Sequence, residues 1–136
     1  MNDRASNRVV LWGPQEDDLG DLQTTLERRG FQVQTLESEK EVHAAVQRNE
    51  ADLVVARLCS GFEFPLDLLG WMKGRFSPPP VLIVTEGRNV RLYLEAMQRG
   101  AFDCVGLPLD EHELLRLVAQ ALESCLHPVA APGGGE

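Results

Sequence analysis

The stretch Ala51-Asp52-Leu53-Val54-Val55-Ala56-Arg57-Leu58 constrains the fold more than any other. It is short, rich in branched apolar residues, and carries one charge near its end. A strand that is apolar on both faces belongs in the middle of a parallel sheet covered by helices. In open sheets of that kind ligands bind beyond the carboxyl ends of the strands. Arg57 therefore marks where a site should be sought.

The flanking sequence supplies the rest of such a sheet. Arg8 to Trp12 reads as a first strand stopped by Gly13-Pro14, and Gln15 to Arg29 as a helix with Leu19, Leu22 and Leu26 on one face. Glu16, Asp17 and Asp18 suit its first turn and Arg28-Arg29 its last, because both complement the helix dipole. Gly30 is a left-handed stop. Phe31 to Leu36 alternates as an edge strand does, and Ser38 with Glu41 forms a capping box opening a helix with Val42, Ala45 and Val46. After the central strand at Asp52 to Arg57, the loop Leu58 to Phe64 leads to a short helix, Pro65 to Lys73. Ser77-Pro78-Pro79-Pro80 is a stiff connector, and Val81 to Thr85 is a buried strand. Asn89 to Arg99 reads as a helix with Val90, Leu94 and Met97 inward. Phe102 to Leu107 is a fifth strand closed by Pro108. Asp110 with Glu113 caps a last helix with Leu114, Val118, Ala121 and Cys125 on one face. Five strands alternating with five helices predict an α/β doubly wound parallel sheet, flavodoxin-like, in strand order 2-1-3-4-5. The expected organisation is a disordered N-terminus over 1–7, a domain over 8–126, and a flexible tail or linker over 127–136.

Composition narrows the partners. A chain of 136 residues suffices for one domain with a real core, and a net charge of -8 argues against direct nucleic-acid binding, which needs clustered Lys and Arg. No apolar run approaches the roughly 20 residues of a membrane span, and no secretory leader opens the chain, so a cytoplasmic location is expected. Cys59, Cys104 and Cys125 are an odd number without a close pair. Reduced thiols are expected, not a disulfide or zinc site, with Cys104 and Cys125 in the core and Cys59 on a loop.

In its ordered elements the chain resembles the response-regulator receiver domain over about residues 8 to 125. The resemblance rests on Ala-Asp-Leu-Val-Val-Ala-Arg-Leu (51 to 58), where the family usually reads Pro-Asp-Leu-Val-Leu-Leu-Asp-Leu. It rests also on Pro-Val-Leu-Ile-Val-Thr (80 to 85) and on Arg-Gly-Ala-Phe-Asp-Cys-Val-Gly-Leu-Pro-Leu (99 to 109), against the usual Gly-Ala-Asp-Asp-Tyr-Leu-Val-Lys-Pro-Phe. Glu-Arg-Arg-Gly-Phe (27 to 31) completes it.

The resemblance implies a phosphorylation pocket, and this chain departs from it residue by residue. Such a pocket uses two acids after strand one to hold Mg²⁺, an aspartate that attacks the phosphoryl group, a hydroxyl, and a lysine before a proline. Gly13-Pro14 fall on the acids, Arg57 on the aspartate and Leu107 on the lysine; Thr85 and Pro108 are retained, and Cys104 falls on an aromatic switch position. Arg57 accepts no phosphoryl group and repels Mg²⁺, and Asp52 lies at the wrong end of the strand. The resemblance thus implies a degenerate pseudo-receiver with no catalytic residue, no metal and no cofactor.

Arg57 has two principal readings: a guanidinium standing where the metal would, paired with Glu16, Asp17 or Asp18 near Thr85, or a solvated side chain at a dead site. Binding of a small anion is a third. Receiver domains meet partners through helix four, strand five and helix five, which here offer Arg91, Tyr93, Glu95, Asp103 and Arg116. Mixed charge there suits a self-complementary homodimer or a plain solvated surface. The expected function is phosphorylation-independent signalling by protein–protein contact, as an adaptor or regulatory domain. The alternatives are a ligand-binding sensor and a residual phosphoacceptor.

Overall fold

The computed structural model describes residues 7–13, 17–59, 63–75, 77–87 and 89–126, of which 17–19 and 125–126 are described by backbone alone. The expectations placed on 1–6, on 127–136 and on the side chains of Glu16, Asp17, Asp18 and Cys125 lie outside the described residues, as does Pro14. Asn7, the last residue of the expected N-terminal segment, hydrogen-bonds at the start of the sheet. Its carbonyl accepts from Gln32 N at 2.9 Å and its amide donates to Gly30 O at 3.2 Å.

The elements run β1 (Arg8–Trp12), α1 (Asp17–Arg28), β2 (Gln32–Leu36), α2 (Glu39–Gln47), β3 (Leu53–Leu58), α3 (Phe64–Met72), β4 (Val81–Glu86), α4 (Val90–Gln98), β5 (Asp103–Leu107) and α5 (Glu111–Leu126). All pairings are parallel, in the order β2-β1-β3-β4-β5. The expected fold is the observed one. β3 is buried at every position, which its apolar run requires of a central strand. The capping box at Ser38 and Glu41 is present in full. Gly30, at φ 93°, ends α1 while Phe31 N returns to Leu26 O at 3.0 Å, a left-handed closure that a side chain would strain.

Alternation along the strands divides the core between two faces. Val10, Trp12, Val54, Ala56, Leu58, Ile83 and Cys104 pack against α2, α3 and α4. Val9, Leu11, Leu53, Val55, Val84 and Leu107 pack against α1 and α5. The same alternation assigns Arg57 and Glu86 to the α1–α5 face and Thr85 and Gly106 to the α4 face.

One expectation about α4 is overturned. Val90 and Leu94 do not face inward: they are 69% and 51% exposed, and Tyr93 is 42% exposed. Leu92 and Ala96 are the buried pair, with Met97 partly buried beside them. The sequence Val-Arg-Leu-Tyr-Leu-Glu-Ala-Met carries two apolar stripes at helical spacing, and periodicity cannot rank them. The stripe containing small Ala96 lets the helix lie close to the sheet. The larger one is left facing out.

α1 and α5 are joined at their ends by Glu111, whose carboxylate accepts from Arg29 Nη2 at 2.8 Å, Arg29 Nε at 3.0 Å and Arg28 Nη2 at 3.1 Å. These hydrogen bonds, those of Arg29 first, hold the Glu111 carboxyl below its ordinary value. The stabilisation is therefore complete above the unfolded-state value of about 4.3 and is lost as pH falls through the lower folded value. Glu111→Gln is expected to lower Tm at pH 7, with the gap from the parent closing on acidification into that window. Thermal melts of both proteins across this range check it; a gap that widens in acid would contradict it.

Candidate functional site

The residues at the carboxyl edge of the sheet come from β1, β3, β4 and β5, and strand pairing places them. Arg57 lies beside Val84, Leu58 beside Thr85, Thr85 beside Gly106, and Glu86 beside Leu107. Gly13, just past β1, is buried.

Arg57 is buried, with 3% of its surface exposed. The solvated reading of this side chain is thereby overturned. Its Nη2 lies 3.7 Å from Glu86 Oε1, and Glu86 is 81% exposed on its side chain. That separation exceeds a direct hydrogen bond, and a carboxylate so open to water contributes little Coulomb energy. The pair is an electrostatic neighbour across two adjacent strands. Glu86 was missed in the sequence because β4 was expected to end at Thr85. The signal was there: Glu86 continues the alternation of Leu82 and Val84 onto the face that carries Arg57.

Chemically, a fixed cation sits buried at the carboxyl edge of the central strand. Arg57 has no nucleophilic atom at neutral pH and raises the electrostatic cost of a divalent cation beside it. Leu107 is a buried part of the α1–α5 core. Pro108 follows it across a cis peptide bond.

Thr85 is also buried, but on the other face. Its hydroxyl donates to Gly87 O at 3.0 Å and lies 3.4 Å from Val105 O. The structure thus does not aim the retained hydroxyl at Arg57. Cys104 lies behind it in the core against α4. Burial first, then the negative charge of Asp103, push its thiol up to about 11, so it stays protonated at neutral pH. Asp103 turns its carboxylate onto Cys104 N at 2.8 Å.

Asp52 lies at the far end of β3 and is held there by Arg8. Arg8 donates to it from Nε and Nη2 at 3.0 Å each and from its backbone N at 2.9 Å.

Between β5, the β4–α4 turn and α4 lies a cavity of about 290 Å³ lined by Thr85, Gly87, Asn89, Val90, Tyr93, Cys104, Val105 and Gly106. Beside it stand the exposed apolar residues of α4. Arg91 pairs with Glu95 at 2.7 Å and with Glu63 at 3.2 Å, framing that face with charge. Arg116 pairs with Glu113 on α5. The named interface residues Arg91, Tyr93 and Arg116 are surface-exposed; Glu95 and Asp103 are only partly so.

The comparisons with known proteins agree with this geometry. The family model described as a response regulator receiver domain matches residues 16–119. The alginate biosynthesis transcriptional regulatory protein AlgB of Pseudomonas aeruginosa is 31% identical over 116 residues, covering 85% of this chain and 26% of its own length. The DNA-binding transcriptional regulator NtrC of Salmonella typhimurium is 31% identical, over 85% of this chain and 25% of that protein. The chain thus spans about a quarter of the length of the curated relatives it matches. Among solved structures, a response regulator signal receiver domain from Bermanella marisrubri superposes with a TM-score of 0.76 at 18% identity, covering 87% of this chain and 99% of that one. The beryllofluoride-activated NtrC4 receiver domain dimer gives 0.75 at 18% identity, covering 88% and 98%. At such identities the structures speak for the fold, and the family match speaks for descent. By that match the chain belongs to the response regulator receiver domain family.

Proposed function

We propose that this receiver domain is a pseudo-receiver that signals by protein–protein contact without being phosphorylated. Its place would be a two-component-type pathway in the cytoplasm, as an adaptor or as the regulatory domain of a longer protein. The observation that carries the reading is the burial of Arg57, the cation that the resemblance sets against the acceptor carboxylate. Leu107 and Gly13, in place of the lysine and an acid, point the same way. The names of AlgB and NtrC, longer proteins described as transcriptional regulators, support a regulatory module; a net charge of -8 disfavours direct DNA contact by these residues.

The docking face is α4 with the adjoining edge of β5. Val90, Tyr93 and Leu94 form a contiguous apolar stripe in water, which on a soluble domain marks an interaction surface. Arg91 and Glu95 on its border would orient a protein partner or a second copy of the chain.

Titration with Mg²⁺ and then beryllofluoride, followed by tryptophan fluorescence, tests the reading. Trp12 ends β1 next to Ala56, whereas Trp71 stacks on His43 with ring centroids 4.0 Å apart, so a Trp12→Phe control separates the two emitters. No change in either step is expected. Saturable quenching that vanishes in the control would defeat the proposal.

A further inference from the structure

β5 ends in two small residues on the face toward α4, Cys104 and Gly106. The chain backbone has moved into the space at Gly106. A β-carbon there would lie 2.4 Å from Gly87 O and 2.9 Å from Gly87 C, distances no side chain tolerates. Glycine in a strand interior often marks such a close approach of backbone. Gly87, at φ 67°, makes the turn between β4 and α4, and two further bonds hold it down. Its N–H donates to Leu107 O at 3.0 Å, and its carbonyl accepts from the Thr85 hydroxyl at 3.0 Å. Two residues later Asn89 caps α4, its side chain accepting from Leu92 N at 3.1 Å and its carbonyl from Tyr93 N at 2.9 Å.

We propose that Gly106 latches the β4–α4 turn against β5, and that this latch holds the apolar face of α4 in one docking position. The inference rests on the reading of α4 as the docking face and adds how that face is held. The latch requires the absence of a side chain at residue 106, since the contact is backbone against backbone and no flexible group can yield. Thr85 is a positioning residue within it: its hydroxyl is committed to the turn. The cavity bounded by Gly87, Tyr93, Cys104 and Gly106 is the space the latched turn leaves beneath α4. Because Gly87 and the Asn89 cap are two residues apart, displacing one displaces the other. A chain built this way presents its α4 surface constitutively.

Amide hydrogen exchange on Gly106→Ala tests this in the absence of phosphodonor and partner. The Gly87 amide is expected to exchange about tenfold faster or more, and the Leu92 and Tyr93 amides to accelerate with it, while the β1–β3 ladder keeps its protection. Unchanged exchange at Gly87 would overturn the latch. Acceleration confined to Gly87, with Leu92 and Tyr93 protected as before, would overturn its coupling to α4. Should Gly106→Ala fail to fold, native-state exchange of the parent decides: Gly87, Leu92 and Tyr93 are expected to open together with the same denaturant dependence, and opening of Gly87 independent of Leu92 and Tyr93 would overturn the coupling. Since nothing in the measurement depends on phosphoryl transfer, failure of the latch leaves the phosphorylation-independent reading standing, and the reverse also holds.

Discussion

Arg57→Ala is expected to cost ~2–4 kcal/mol of unfolding free energy, because a buried long side chain is removed from the sheet edge and leaves a cavity. In urea the midpoint shifts with little change in slope. Glu86→Ala, by contrast, is expected to stay within ~1 kcal/mol, since an exposed carboxylate 3.7 Å from its partner loses little when removed. The contrast shows how much of the loss at Arg57 comes from the Glu86 pair: near-equal losses would assign it to that pair, and unequal losses assign it to the burial of the side chain as a whole. A loss within ~0.5 kcal/mol for Arg57→Ala, as for ordinary surface positions, would contradict the buried placement.

The second large effect lies at the opposite end of β3. Asp52→Ala is expected to destabilise by ~1.5–3 kcal/mol, the range for hydrogen bonds to a charged group. Three donors of Arg8 converge on that carboxylate in a bidentate side-chain arrangement plus the backbone N–H, and Arg8 Nη1 also reaches Asn49 O at 2.8 Å. The cluster ties β1 to the start of β3. A double-mutant cycle with Arg8→Met should give a coupling above ~0.5 kcal/mol, which additive losses would refute. The same geometry makes Asp52 a poor substitute acceptor: three donors already hold its carboxylate, at the opposite end of β3 from Arg57.

Most of the fold was legible because each element carried its own physical mark. The unbroken apolar run of β3 demanded burial on both faces. Ser38 with Glu41, and Asp110 before α5, announced helix starts that the structure repeats; Asp110 accepts from His112 N and Glu113 N. The candidate site was legible only as a set of departures from a family pattern, and four of its features were not foreseen. The outward stripe of α4 competed with an equally periodic inward one, and only tertiary packing chose between them. Glu86 fell one residue beyond the expected strand end. The Gly106–Gly87 approach joins two residues distant in sequence, and a glycine in a weak strand could have meant no more than low strand propensity. Arg57 could be placed from sequence, but its burial could not, since arginine is rarely buried and the default expectation is solvation.

The proposed pseudo-receiver has Arg57, a cation, in place of an acceptor. The most direct measurement is the intact mass of the protein after incubation with acetyl phosphate and Mg²⁺, with an Asp52→Asn variant alongside. The mass is predicted to remain that of the unmodified chain in both. A stoichiometric gain of one phosphoryl group, removed by hydroxylamine as an acyl phosphate is, would show that an acidic residue of this chain still accepts phosphate, and would contradict the account.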